Sequence, residues 1–581
     1  MLRTKAPSAG AAGFLLWLAM ACPTLIFAAV VPDMALCPKS AGPVAVGAAQ
    51  WNGWGGDIDN SRYQPEPAIR ASDASRLRFK WAYGYAGGEA NAVPRTTPNG
   101  TVADAGQPTV VDGRLFVASA AGHVYALDAM TGCTYWSFDA AAGTHTALVV
   151  GELAPIKGIF GQKKKVKSKK KDTHIDVQKP PSALFFGDDS GAVYALDAQN
   201  GRLLWKTQAD EHPLARIAGS PTLHKNRLYV PVSATEARVA ADPKYACCTF
   251  RGSVVALDIS TGHVIWKTYM SAEEPKPYKI NEAGTQLYQP AGMAIGSAPT
   301  IDGERELLYV ATGKAYSNVP QAAANAIVAL NLEDGKIAWI KSLPSLNPGA
   351  DFDSAPVLRN LSLTRKIIVT AQKSAEVYGL DPSRAGEIVW RSKLEIAGAA
   401  GATQWGPAAD HRSVYLAFAA AQDTAAAQAT AAAQATTAAQ ETTVAQETTV
   451  AQETTVAQAT PPTPAGGLVA LDIATGQLRW DAVSPQPPCA WGPQDCSHAQ
   501  SQAVTVIPGI AFLGSMDGHL RGFSTIDGKI VWDVDTAKPY PTANRVQASG
   551  GSLDRGGPVV VGGMLYVNSG DLLLAFSLDG K

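Results

Sequence analysis

The sequence predicts an all-β fold, an eight-bladed β-propeller. Three observations carry this: a strand-turn-strand unit written seven times, a tryptophan at one fixed place in each copy, and a partial eighth unit divided between the two ends of the chain. The seven copies occupy 123–136, 192–205, 253–266, 326–339, 376–390, 467–480 and 519–532, and end on Trp136, Trp205, Trp266, Trp339, Trp390, Trp480 and Trp532. Each joins an apolar strand ending in Leu-Asp or a variant to a second apolar strand through a Gly turn, which is a hairpin signal. One hairpin cannot bury its apolar face, whereas a closed ring of such units can.

The eighth unit is split. Residues 563–581 form strands that stop before any Trp, and Leu77 to Trp81 supplies a lone Trp-bearing strand near the other end. Pairing the two termini in one sheet closes the ring without a free edge; the alternative is seven blades with an N-terminal extension. The period of the repeat tryptophans assigns them to locking blade against blade rather than to ligand stacking.

The remaining segments follow in order. Residues 1–29 have Arg3 and Lys5 ahead of an apolar stretch and read as a secretory signal peptide cleaved near Ala28 or Ala29, which places the mature chain in the periplasm with no stable membrane insertion. Residues 30–75 form an N-terminal segment, and the propeller occupies 76–581. Two low-complexity insertions interrupt it. One, at 156–181, is Lys-dense and reads as a solvated loop; the other, at 419–465, is rich in Ala, Gln and Thr and has no core-forming pattern. With 49 Lys+Arg against 50 Asp+Glu, the overall charge is near zero and the chain shows no nucleic-acid footprint.

Of the seven cysteines, Cys22 leaves with the signal and six remain, an even number suited to disulfides in an exported chain. Cys489 and Cys496 are near enough to clip one loop, Cys37 and Cys133 pair by elimination, and Cys247 and Cys248 are adjacent. No C-x-x-C-H motif is present, so covalent haem is not expected; the histidines lack zinc spacing, and there is no G-x-S-x-G, P-loop or dinucleotide fingerprint.

The repeat resembles the blade motif of quinoprotein dehydrogenases, which bind pyrroloquinoline quinone (PQQ). Segments 51–69, 241–258, 350–358, 371–381, 404–410 and 550–570 resemble the polyvinyl alcohol dehydrogenase group of that family. The resemblance implies PQQ on the propeller axis, Ca²⁺ against it, a carboxylate that takes the alcohol proton, and electrons leaving to a cytochrome c. That cytochrome would be a separate protein, since the chain shows no haem motif. The substrate it implies is polyvinyl alcohol or a related secondary alcohol. The alternative is a propeller that has lost quinone and Ca²⁺ and serves as a pseudoenzyme or protein-binding scaffold.

Quinone carboxylates need Arg or Lys donors, the quinone plane needs flat faces, and the base must be a positioned carboxylate. By the resemblance, Asp353 is the catalytic base, with Asp351 the alternative, and Lys373 approaches the quinone oxygens. Cys247 and Cys248 match a cysteine pair of the group and would cover the quinone. Arg216 and Arg251 are candidate carboxylate donors, and Trp405 is a candidate lining residue. Several positions depart from the family pattern. Lys314 stands where an Asn ligates Ca²⁺, Gly296 where a Trp forms the floor under the quinone, Ala218 where a Thr hydroxyl is usual, and His145 where an arginine is expected. A Ca²⁺-ligating glutamate of the wider family aligns near Cys247. Lys314 cannot ligate Ca²⁺, and its ammonium could instead act as a fixed cation beside the quinone, so the metal ligands are left unassigned.

Overall fold

Each sequence repeat folds as the third and fourth strands of a four-stranded antiparallel sheet, and the residues ahead of it supply the first two. The computed structural model describes residues 36–38, 42–47, 50–85, 96–97, 100–101, 105–153, 181–316, 319–343, 351–352, 354–396, 399–402, 405–420, 466–490, 492 and 497–581. The signal segment, the Lys-dense insertion but for residue 181, and the Ala/Gln/Thr insertion but for its first two residues lie outside these.

Among the described residues the sheets form eight blades. Blades 1 to 7 span 109–139, 149–208, 222–269, 300–342, 357–393, 408–483 and 505–535. Blade 8 takes three strands from 559–578, and its outermost strand, Leu77–Gly84, comes from the other end of the chain and pairs with Leu572–Leu578. The seven-blade alternative is thereby excluded.

Local geometry repeats with the sequence. In the seven copies, the third and fourth strands share a register shift at the same place, as between Ala126 and Leu127 or Ala470 and Leu471. The indole of one blade then lies on the turn glycine of the next: Trp136 on Gly201, Trp205 on Gly262, Trp266 on Gly335 and Trp390 on Gly476. The same indoles donate Nε1–H to carbonyls of that next blade, for example Trp136 to Ala198 at 3.2 Å and Trp390 to Ile473 at 3.1 Å. These tryptophans therefore join blades, as their period predicts.

The hub is crossed by residues 51–67. This plug hydrogen-bonds to the innermost strand or first turn of blade 1 at Val110, blade 2 at Val150, blade 4 at Ile301, blade 5 at Leu358, blade 6 at Ala409, blade 7 at Val506 and blade 8 at Gly563. Arg62 anchors it. Its fully buried guanidinium donates to the Val504 carbonyl at 2.6 Å, the Trp54 carbonyl at 2.8 Å, Gln107 Oε1 at 2.5 Å and Thr505 Oγ1 at 2.9 Å. Burial pushes this guanidinium down to about 9, so it remains charged at neutral pH.

Candidate active site

In a propeller blade, the loops from the fourth strand to the next blade's first strand, and those between second and third strands, emerge on one face. Every loop holding a candidate residue is of one of these two kinds, so the connectivity gathers them at one mouth of the hub.

Between blades 1, 2 and 3 the centre of this mouth is Asp189. His145 Nε2 lies 2.9 Å from its Oδ2, and Arg216 Nε lies 3.2 Å from its Oδ1, close as charges though poorly aligned as a hydrogen bond. Burial opposes ionisation of Asp189, but the His145 hydrogen bond and the charges of His145, Arg216 and Arg555 outweigh it and hold the carboxyl below its usual range. Across the ring Arg555 stacks over Trp405 at 5.2 Å, and Trp405 Nε1 donates to Asp554 at 3.2 Å. Asp189, Asp554 and Arg555 were not singled out from the sequence. Asp554 and Arg555 carry no signal beyond lying in the matching segment 550–570, and Asp189 has the look of a hairpin-turn aspartate.

On blade 5, Lys373 Nζ lies 2.9 Å from Asp351 Oδ1, and the backbone N–H of Lys373 also donates to the Asp351 carbonyl. Beside them a Cβ on Gly313 would sit 3.6 Å from Asp351 Oδ2, which brings the Gly313–Lys314 turn of blade 4 against the same carboxylate. Lys314 itself is exposed. The sequence-predicted base, Asp353, lies outside the described residues; among the described residues Asp351 is the carboxylate found with Lys373.

The cysteine pair sits on the second-to-third strand loop of blade 3. Cys247 and Cys248 form a disulfide, with Cys248 buried and Cys247 half-buried. Buried Glu236 fixes this loop by accepting the backbone N–H groups of Thr249 at 2.8 Å and Phe250 at 3.0 Å. Arg251 belongs to a different environment. It precedes the third strand, away from the axis, where its guanidinium covers the Tyr269 ring at 3.9 Å and faces Glu274 at 3.6 Å. Cys37 and Cys133 form the disulfide expected by elimination, and Cys489 is disulfide-bonded, while Cys496 lies outside the described residues.

The mouth thus combines cations (Arg216, Arg555, Lys373), the His145 imidazole, flat surfaces (the Trp405 ring and the vicinal disulfide) and a carboxylate paired to a lysine. Such a set suits a planar polyanion beside a proton acceptor. Among the described residues no cluster of three or more His, Cys, Asp or Glu could hold a metal ion, and no helix is long and apolar enough to cross a membrane.

Comparison with known proteins agrees with this architecture. A family profile described as glucose/ethanol/alcohol dehydrogenase, beta-propeller domain, matches residues 51–394, and one for outer membrane protein assembly factor BamB matches 373–580. A polyvinylalcohol dehydrogenase of Pseudomonas sp. is 37% identical over 92% of this chain and 77% of its own length. One from Sphingopyxis sp. (strain 113P3) is 35% identical over 94% and 80%. In three dimensions, quinohemoprotein alcohol dehydrogenase from Comamonas testosteroni superposes with a TM-score of 0.58 at 17% identity, covering 92% of this chain and 81% of that one, which shows the same fold.

Proposed function

Because the chain belongs to the PQQ β-propeller family of alcohol dehydrogenases, alongside the polyvinylalcohol dehydrogenases, we propose that it oxidises polyvinyl alcohol or a related secondary alcohol in the periplasm. PQQ would bind at the mouth described above, and electrons would pass to a separate cytochrome c. The observation that carries this reading is the Asp351–Lys373 pair on the same face as Arg216, Arg555, Trp405 and the vicinal disulfide.

The residues present fit the quinone. Arg216 and Arg555 offer guanidinium donors for its carboxylates, Lys373 a cation for its carbonyl oxygens, and Trp405 and the Cys247–Cys248 disulfide flat faces for its plane. Bound quinone supplies the acceptor for the hydride leaving the carbinol carbon. Asp351 accepts the hydroxyl proton, and Lys373 orients that carboxylate. Lys314, adjoining the Asp351 carboxylate through Gly313, supplies a fixed positive charge where the family pattern has a Ca²⁺ ligand; no step here is assigned to Ca²⁺. The scaffold alternative draws on the assembly-factor profile over 373–580, but the 37% identity over most of the chain favours the enzyme.

The test is to add PQQ to the purified protein with and without Ca²⁺, measure bound quinone by ultrafiltration, and follow dye reduction with polyvinyl alcohol and small secondary alcohols. The expected result is tight quinone binding and alcohol-dependent reduction in chelator, both lost in Lys314→Ala. Absence of bound quinone under every condition would leave the scaffold reading.

A further inference from the structure

We propose that a cavity on the opposite side of the hub is a second binding site, for a stretch of a neutral, hydroxyl-bearing aliphatic chain. The choice of ligand rests on the alcohol-oxidising reading above; the site itself rests on the geometry. The cavity measures about 510 Å³, within the roughly 300–1,000 Å³ of ligand pockets. It lies between the plug (Asn52, Trp54) and blades 2 and 3 (Val150, Glu152, Leu223, His224).

Its origin is a gap in the plug's contacts. The plug bonds to the inner region of blades 1, 2, 4, 5, 6, 7 and 8, but among the described residues it makes no backbone hydrogen bond to Thr222–His224, the innermost strand of blade 3. His224, the last residue of that strand, and Lys225, in the first-to-second strand turn, line the cavity, which places it away from the Asp351–Lys373 mouth.

The lining selects a ligand class. Val46, Ile58 and Leu223 share the lining with an exposed carboxylate at Glu152, the His224 imidazole and the Trp54 ring, a mixed polar and apolar lining suited to hydroxyl groups carried on an apolar backbone. Other charges are occupied by protein partners: Asp57 accepts from the Ser61 N–H at 2.9 Å, and Lys225 Nζ lies 3.0 Å from Glu306. An ion therefore has little to recruit it, and a single small alcohol would leave the space unfilled. A polymer long enough to reach both faces would gain by effective concentration, because holding one segment here raises the local concentration of its other hydroxyls at the mouth.

The experiment is hydrogen exchange on the quinone-free protein with a vinyl alcohol oligomer, comparing wild type with Glu152→Trp, which narrows the cavity from an exposed position. The expected result is protection at 149–152 and 222–225 in wild type and its loss in the variant. With quinone added, Glu152→Trp raises KM for the polymer on the order of tenfold and leaves KM and kcat for a small secondary alcohol unchanged. No protection at these strands, or equal protection in a variant that melts like wild type, overturns the site. If no alcohol is oxidised at all, the functional reading falls while the exchange result still decides whether the site exists.

Discussion

Lys373 meets Asp351 at 2.9 Å and lies on the face where the resemblance puts the quinone oxygens, so under the proposed function its charge would serve both base and cofactor. Lys373→Met keeps much of the bulk and removes the charge; quinone affinity is expected to fall on the order of 10- to 100-fold, as for a lost charged hydrogen bond, read by equilibrium dialysis. A second residue makes a pH prediction. Burial first, then the neighbouring Asp57 carboxylate and also Asp302, pushes Asp59 up to about 7 against the opposing charges of Arg359 and Lys366. An acid raised on folding favours the native state while protonated, so stability is lost as pH climbs from its unfolded value near 4 toward 7. Asp59→Asn is expected to match wild type in Tm at about pH 4.5 and exceed it at about pH 8. At this scale the sequence was only partly legible. Two carboxylates flank Phe352, and spacing alone does not divide their roles, although Asp351 meets Lys373; Arg251 adjoins the cysteine segment yet turns toward Tyr269, because strand position and not sequence proximity sets its direction. Arg555 carries no signal in the sequence, because a lone arginine in a glycine-rich run gains its neighbour Trp405 only when distant loops converge.

Among the described residues, seven of the eight joints between blades pair an indole with a glycine, as the period predicts; at the joint of blades 7 and 8, Trp532 meets the Phe576 ring instead. At Gly476, φ is +70° and a Cβ would lie 2.4 Å from Trp390 Cε3, so the position excludes a side chain twice over. Gly476→Ala is expected to cost about 1–2 kcal/mol from the left-handed backbone alone, more with the displaced indole, and to lower the denaturation midpoint accordingly; Gly113→Ala, equally left-handed but with nothing within 4 Å, shows the backbone cost by itself. The fifth copy is irregular in a way its sequence displays. It carries Pro382 after Asp381 and a longer turn ending on Ala385 and Gly386, both at positive φ. There Trp339 still meets Gly386, but its Nε1 is buried without a hydrogen-bond partner.

At the level of the whole molecule, ring closure and the plug decide what the hub can hold. Closure was legible, since each terminus lacked what the other supplied: strands without a Trp at one end, and Trp81, which lies on Gly132 of blade 1, at the other. The plug was not. Residues 51–67 are polar and glycine-rich with no period, and their partners are strand edges that exist only once the ring has formed. Under the proposed function, the mouth opposite the cavity holds a quinone served by Asp351 as base. This assignment is tested most directly by single-turnover reduction of protein-bound PQQ by a secondary alcohol, followed by absorbance in wild type, Asp351→Asn and Asp353→Asn. Quinone is expected to bind in all three, with reduction slowed on the order of 10²- to 10⁴-fold in Asp351→Asn only. Unchanged reduction in Asp351→Asn, or its loss in Asp353→Asn alone, would contradict the assignment.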